Sequence, residues 1–239
     1  MPLITYTTVC TSKTLIARDV YEMRFTKPEG FVFKAGQFIL FDVPLVDAPT
    51  DLQTRALSIA STPDERELLF VVKLVPGGRL SRWIAEVLRE GTSVTFKGPF
   101  GNFILKSAPE QSLLFIATGA GIAPFRPMIL SALQENPDQK IGVIFGVHSE
   151  EDLFWKEWLE QTSKKHPNVF HHLTLTHPSA SWNGHHGRVQ VVAPVVMKND
   201  FRGVSLYVCG NPDMTTDVKK LALSEWGMEK KDLHVEGYI

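Results

Sequence analysis

A chain of 239 residues, 44% of them hydrophobic, can bury one large core or two modest ones, and two domains of about 100 to 150 residues each fit its length. Its 25 basic and 26 acidic residues leave a formal net charge of −1, which withholds the basic footprint a nucleic-acid binder needs. Cys10 and Cys209 are the only cysteines, too few for a disulfide framework or for an iron–sulfur cluster held by cysteine alone, so any electron transfer here calls for a bound organic cofactor. The N-terminal MPLITYTTVC lacks the charged segment and apolar core of a signal peptide, and no apolar run is long enough to span a bilayer. A cytoplasmic protein, with no membrane or nucleic-acid partner, is the expectation.

Up to about residue 105 the chain reads as short β-rich runs. LITYTTVCTSK, VYEMRFTK, QFILFDVP, ALSIAS, ELLFVVKLV and SVTFKGPF are separated by turn signals such as KPEG, KAG, TPDER and VPGG. Runs at this spacing predict a small antiparallel barrel or sandwich. One helix, SRWIAEVLRE, interrupts them, with Ser81 as its N-cap and Gly91 just past its end.

After residue 110 apolar strands alternate with longer helical segments. SLLFIAT leads to a glycine turn and PFRPMILSALQE; KIGVIFGV leads to EEDLFWKEWLEQTSKKH; VFHHLTLT leads through a polar loop to RVQVVAPVVMK; VSLYVCG leads to PDMTTDVKKLALSEW; DLHVEGY closes the chain. This pattern predicts a parallel sheet covered on both faces. The boundary is expected in LKSAPEQ, which gives domains at 1–106 and 107–239. The mixed-charge run from Glu150 reads as one amphipathic helix, with Phe154, Trp158 and Leu159 among its packing residues.

In TGAGIAPFRP, strand, glycine turn and helix are arranged to point free backbone N–H groups and a positive dipole end at an anion. Gly119 and Gly121 lack a Cβ, which permits the tight turn and the close approach of a phosphate. Pro124 fits the first turn of the helix, where its missing N–H forfeits no helical hydrogen bond. LYVCGNPDM repeats the pattern: a strand ends at Cys209, turns at Gly210, and a helix starts with Asn211 as N-cap and Pro212 at its first position. Two such turns in one parallel sheet could flank a crevice at the carboxyl ends of the strands, where nucleotides bind in this architecture. Cys209 would stand at that edge, either as a thiolate favoured by the helix N-terminus or as a buried strand-end cysteine.

RALSIAS (55–61), PGGRLS (76–81), GPFGNF (98–103), TGAGIAPFRPMI (118–129), VCGNPDM (208–214) and the terminal HVEGY span nearly the whole chain. Taken in this order, they resemble the motif set of the ferredoxin–NADP reductase superfamily. The resemblance implies an antiparallel flavin-binding β-barrel domain followed by an α/β, Rossmann-like nucleotide domain, with FAD between them and NAD(P)H as reductant. It implies that Arg55 pairs with the flavin's phosphates, a role suited to a guanidinium, and that Ser58 donates toward the ring near the atom that receives hydride. Ala56 and Leu57 complete that motif. Leu57 stands where relatives usually carry a tyrosine stacked on the flavin, which removes a ring contact and a hydroxyl.

By the same resemblance, Val71, Val72 and Lys73 line the flavin with backbone groups, and the amides of Arg79, Leu80 and Ser81 meet the pyrophosphate at a helix N-terminus. Thr118 reaches toward the flavin, while Gly119, Gly121 and Pro124 form the nucleotide turn, with Gly210 and Met214 in the second turn. Cys209 stands beside the nicotinamide's reacting carbon, and Glu236 and Tyr238 are the terminal acid and aromatic. Ser58, Cys209 and Glu236 are therefore the catalytic candidates, aligning or tuning the rings between which hydride passes. The implied electron acceptor is a separate protein such as ferredoxin, flavodoxin or an oxygenase component.

NADH or NADPH turns on a few residues. A 2′-phosphate suits arginine, or serine and arginine together, beside the adenosine ribose. Here GVHSEEDLF puts His148 and Ser149 ahead of two acids, and LTHPSASWNGHHGR puts His177 where an arginine often stands in relatives. The acids repel a phosphate and can bind ribose hydroxyls, which favours NADH; Arg188 or a protonated histidine could instead receive NADPH. Five of the eight histidines, His171, His172, His177, His185 and His186, crowd one segment. Adjacent strand residues face opposite sides and no cysteine or paired acid completes a ligand spacing, so no metal site is expected. Two other classes remain open: a non-catalytic subunit that binds flavin or nucleotide and senses redox state, and a hydrolase using Cys209 with His234 as base.

Overall fold

A computed structural model describes residues 4–106 and 110–238. Ser107, Ala108 and Pro109, within the expected boundary segment, lie outside them. The contacts divide the chain into two units: residues up to Ile104 with Ala123–Leu130, and Leu105–Ile122 with the chain from Ser131 onward.

The first unit holds β1 (Thr5–Ala17), β2 (Val20–Thr26), β3 (Phe38–Leu45), β4 (Ala48–Ser58), β5 (Glu67–Lys73) and β6 (Ser93–Phe100). Every pair is antiparallel, in the order β4-β3-β6-β1-β2-β5. Just past β4, Ala60 N donates to Leu69 O (2.8 Å) and Leu69 N to Ser61 Oγ (3.2 Å), so the two ends of the sheet meet. The expected antiparallel barrel is therefore the observed fold. Ile39, Phe41 and Val43, every second residue of β3, are fully buried, and Phe41 packs edge-on against Phe70 with ring centroids 5.2 Å apart. Burial of each such side chain is worth about 1.5–3 kcal/mol.

Two local features differ from the sequence reading. β4 begins at Ala48, well before ALSIAS, and its outer half, residues 49–54, is exposed, so no apolar alternation marks it. Ion pairs hold this arm: Arg79 Nη2 meets Asp51 Oδ2 at 3.0 Å, and Arg82 pairs with Asp47. Helix α1 (Arg79–Glu86) starts at Gly78 as N-cap, three residues earlier than expected, and ends well short of Gly91. Ser81 does not cap it; its Oγ accepts the Val75 N–H (2.8 Å) and closes the preceding turn instead.

The second unit holds β7 (Ser112–Thr118), β8 (Ile141–Val147), β9 (Val169–Leu175), β10 (His185–His186), β11 (Val204–Gly210) and β12 (Leu233–Gly237). All pairs are parallel, in the order β10-β9-β8-β7-β11-β12, as the strand–helix alternation predicts. Every residue of β11 is buried, as befits a strand covered on both faces. Helices α2 (Phe125–Glu135), α3 (Lys156–Lys165), α4 (Val189–Val196) and α5 (Pro212–Ser224) connect the strands. None of the described helices is long and apolar enough to cross a membrane.

The run from Glu150 is not one helix. Ser149 N–H and Oγ–H both donate to Asp152 Oδ2 (3.2 and 2.9 Å), which closes a separate 3-10 turn at Glu150–Asp152. The chain then passes Trp155 at φ 56° before α3 begins at Lys156. Phe154 and Leu159 are buried as anticipated. On β9, His171 Nδ1 meets Ser163 Oγ of α3 (2.7 Å), whereas His172 Nδ1 meets His185 Nε2 (2.9 Å). The adjacent imidazoles thus serve different partners, and among the described residues no group of three or more His, Cys, Asp or Glu converges on one point.

Candidate functional site

Strand order places a crevice before any side chain is considered. The chain enters the parallel sheet at β7, builds β8, β9 and β10 to one side, and then returns to build β11 and β12 on the other. Such a reversal opens a ligand site beyond the carboxyl ends of the strands where it occurs, here β7 and β11.

Both glycine turns stand at that point, and they press on each other. A Cβ on Gly121 would lie 2.3 Å from Cys209 O and 2.5 Å from Gly210 Cα; a Cβ on Gly210, at φ 142°, would lie 2.3 Å from Thr118 Oγ1. Thr118 Oγ1 accepts the Asn211 N–H (3.1 Å), Gly210 O accepts the Tyr238 N–H (2.9 Å), and the Tyr238 hydroxyl donates to Ala120 O (3.4 Å). Register sets Cys209 beside Ala117 on one side and Glu236 on the other. Thr118, Gly119, Gly121, Cys209, Gly210, Glu236 and Tyr238 therefore come together.

Pro124 and Met214 are placed differently. A 3-10 turn at Gly119–Ile122 follows β7, and Pro124 stands just ahead of α2 at Phe125, within the segment that groups with the first unit. Its missing N–H is harmless there, as at a helical first turn. Met214 is packed into the hydrophobic cluster with Leu206, Val208 and Val218. The α5 cap is as the sequence predicts: Asn211 Oδ1 accepts the N–H groups of Asp213 (2.9 Å) and Met214 (3.4 Å), with Pro212 following. Asn211→Ala should lower stability by about 1 kcal/mol, read as a shift in the urea midpoint.

The electrostatics of the cluster bear on the two readings of Cys209. Burial pushes the Cys209 thiol well above its ordinary range, and the Glu236 carboxylate adds to the rise; hydrogen bonding with the Tyr238 side chain and the Gly210 backbone offsets only part of it. Burial, reinforced by the neighbouring Glu236, therefore favours the neutral thiol. The hydrolase reading also lacks its base, since His234 pairs in register with Tyr207 and stacks on that ring (centroids 4.5 Å apart) rather than on Cys209. Burial raises the Glu236 carboxyl to about 7, and its Oε2 is buried with no hydrogen-bond partner among the described residues. An orphaned acid oxygen beside two glycine turns suits a polar ring edge brought in by a ligand.

In the first unit, two arginines divide their work. Arg79, with its side chain only 12% exposed, is committed to Asp51 through Oδ1 (3.3 Å), Oδ2 (3.0 Å) and the backbone carbonyl (2.9 Å). Among the described residues Arg55 donates to neutral acceptors, Thr54 O (2.8 Å) and Gln53 Oε1 (3.0 Å), which leaves its charge to meet an anion. No side chain caps α1, so the first-turn amides of Arg79, Leu80 and Ser81 are also unclaimed by a cap. Leu57 packs against the barrel core, Ser58 stands opposite Phe38 on β3, and Val71, Val72 and Lys73 pair with Glu22, Tyr21 and Val20 of β2. The exposed Ala56 completes the motif on β4. These donors fit a dinucleotide's phosphates.

The Arg79–Asp51 clasp escaped the sequence reading, because nothing local marks a pair 28 residues apart. Arg126 escaped it as well: its guanidinium binds Ala60 O (2.9 Å) and Glu65 Oε1 (2.7 Å) within the first unit.

A barrel offering cation and amide donors, followed by a parallel sheet with paired glycine turns at its switch point, defines a two-cofactor flavin and nicotinamide reductase. Residues 7–104 match the oxidoreductase FAD-binding domain and residues 115–220 the oxidoreductase NAD-binding domain. Ferredoxin–NADP reductase B of Sorangium cellulosum is 32% identical over 228 residues, covering 92% of this chain and 91% of that one. The reductase component of phenol 2-monooxygenase from Pseudomonas is 29% identical over 86% of this chain, which spans 58% of its length. Among solved structures, the Amycolatopsis cytochrome P450 reductase GcoB superimposes with a TM-score of 0.90 at 26% identity, over 99% of this chain and 70% of that one. The chain belongs to the ferredoxin–NADP reductase family. It is an NAD(P)H-dependent flavoprotein oxidoreductase whose cofactors are FAD and NAD(P)H.

Proposed function

We propose that the protein takes electrons from NAD(P)H and delivers them to a separate protein carrier, such as a ferredoxin, a flavodoxin or an oxygenase component. Residues 1–106 carry FAD and residues 107–239 the nucleotide in this reading. FAD, when bound, accepts hydride from the nicotinamide and can release electrons singly or as a pair. The chain's own residues bind, orient and exclude water. Arg55 and the amides of Arg79, Leu80 and Ser81 neutralise flavin phosphates, while Leu57, Val71, Val72 and Lys73 flank the ring and Ser58 donates to it. Thr118, Gly119, Gly121, Pro124, Gly210 and Met214 shape the nucleotide turn. Cys209 and Tyr238 align the nicotinamide as neutral groups, and Glu236 holds or releases a proton at its carboxyl near neutral pH.

The observation that carries this reading is the mutual packing of the two glycine turns beside the orphaned Glu236 oxygen. Relatives that serve oxygenases, such as the phenol 2-monooxygenase component, support a protein acceptor. Both cysteines of this chain are buried and unpaired with each other. Anaerobic stopped-flow mixing of FAD-loaded protein with NADH or NADPH should bleach the flavin absorbance within the mixing experiment. Bound flavin that neither nucleotide reduces would instead make the protein a redox-sensing subunit.

A further inference from the structure

Arg126 lies in the glycine-turn motif by sequence, yet its guanidinium serves the barrel. It stands in the first turn of α2, and the Ala123–Leu130 segment groups with the first unit. Arg126 Nη1 donates to Ala60 O (2.9 Å) and to Glu65 Oε1 (2.7 Å), with only 18% of the arginine side chain and 27% of the glutamate side chain exposed. Glu65 Oε1 also accepts the Thr62 N–H (3.2 Å) and Oγ–H (3.4 Å). One carboxylate oxygen therefore gathers the 60–65 segment, and one guanidinium nitrogen pins it at both ends.

That segment begins two residues after Ser58, and its neighbours fix the same strand end. Phe38 pairs with Ser58, Ile59 N donates to Gln37 O (3.0 Å), and Ala60 N donates to Leu69 O (2.8 Å). Ala60 is fully buried, so its carbonyl needs a donor as well; Arg126 supplies one from 66 residues away. The same helix bears on the turn that leads into β3, because a Cβ on Gly36 would lie 2.7 Å from Met128 Cε. Gly36 precedes the Gln37 whose carbonyl holds Ile59.

Fixing α2 to the barrel does not call for a guanidinium. Phe125 and Met128, both fully buried, already supply apolar contact. What Arg126 adds is direction, since a charge-assisted bond to a half-buried carboxylate and a second bond to a backbone carbonyl together hold one short segment in place. Groups that act on a reacting atom have to be held within about 0.5 Å by neighbours that are themselves locked.

We propose that Arg126 is a positioning residue for the flavin site: through Ala60 O and Glu65 it fixes the end of β4, and with it the Ser58 hydroxyl that donates to the ring. The proposal rests on the flavin-site reading of Ser58. Arg126 acts through this backbone segment rather than on a reacting atom.

The test compares Arg126→Met, Arg126→Lys and Glu65→Ala in the FAD-loaded protein. Methionine keeps the aliphatic bulk and deletes both bonds, lysine returns a cation that can meet Glu65, and alanine at 65 removes the shared acceptor. The readouts are the visible circular dichroism of the bound flavin, kcat and KM for NADH and NADPH with ferricyanide as acceptor, and urea midpoints. Arg126→Met should change the flavin dichroism and lower kcat about ten-fold while KM stays within about two-fold. Glu65→Ala should move both signals in the same direction, and Arg126→Lys should recover most of the loss. A methionine variant whose urea midpoint falls while dichroism and kcat hold at wild-type values makes Arg126 a packing residue and overturns the proposal; so does a lysine variant as impaired as the methionine one. Should Arg126→Met fail to fold, wild-type dichroism and kcat in Glu65→Ala overturn it instead. Wild-type flavin that neither nucleotide reduces overturns the reductase reading, while the dichroism of the variants still decides whether Arg126 sets the flavin's surroundings.

Discussion

Gly121→Ala should lower kcat/KM for NAD(P)H by about 100-fold or more, a loss near 2.7 kcal/mol of transition-state stabilisation. The added methyl would stand 2.3 Å from Cys209 O, 2.5 Å from Gly210 Cα and 2.6 Å from Cys209 C, all of them backbone atoms. None can swing aside as a side chain would. Gly210 is held by the Tyr238 amide, and Asn211 by Thr118 Oγ1, so relieving the clash must push the two turns apart and displace the cysteine and acid beside them. Reacting groups misplaced by about 1 Å lose about 100-fold in rate. Gly119→Ala provides the control. A Cβ there meets nothing within 4 Å, and the only penalty is its φ of 53°, about 1–2 kcal/mol of local strain. Stopped-flow flavin reduction on both variants, with urea midpoints to confirm folding, separates the two. Equal losses would mean that turn conformation, not the packing of one turn on the other, governs the site.

The contrast between these glycines also marks where sequence stops being legible. Chain-local features could be read directly: the alternation that buries Ile39, Phe41 and Val43, the Asn211–Pro212 cap, and the strand–helix rhythm behind the parallel sheet. Each depends on residues within one or two turns of each other. Features decided by partners far along the chain were hidden. Arg126 has nothing nearby to mark it, yet its guanidinium binds Glu65 Oε1, 61 residues away. The outer arm of β4 lacks apolar alternation because Asp47 and Asp51 fasten it to Arg82 and Arg79 instead of burial. Cys209 lies one residue before a glycine and a helix, which suggests a thiolate, but the pairing of β11 with β12 buries it against Glu236. The order of six motifs identified the family that the domain matches bear out. It could not show that Glu150 is already engaged, since Ser179 is 29 residues from it.

Glu236→Gln should stabilise the protein at pH 8 relative to pH 4.5 by up to about 3 kcal/mol more than wild type, and the pH trend carries the argument. Burial raises the folded carboxyl from its ordinary 4.5 to about 7. A group raised on folding contributes fully below its unfolded pKa, and that contribution is lost as pH climbs through the folded value. Between about pH 4.5 and 7 the wild type therefore loses stability from this group at about 1.4 kcal/mol per pH unit, and the glutamine variant, which has no proton to release, does not. Absolute stability is less informative, because the new amide needs an acceptor where Oε2 has none and forfeits about 1 kcal/mol at every pH. The difference between variant and wild type, followed by urea midpoints across that range, cancels this constant along with the titration of every other group. A flat difference would place Glu236 in water rather than half-buried beside Cys209. The rate of flavin reduction by NAD(P)H should then also show no inflection near pH 7 that Glu236→Gln removes, and the acid would have no part in proton transfer.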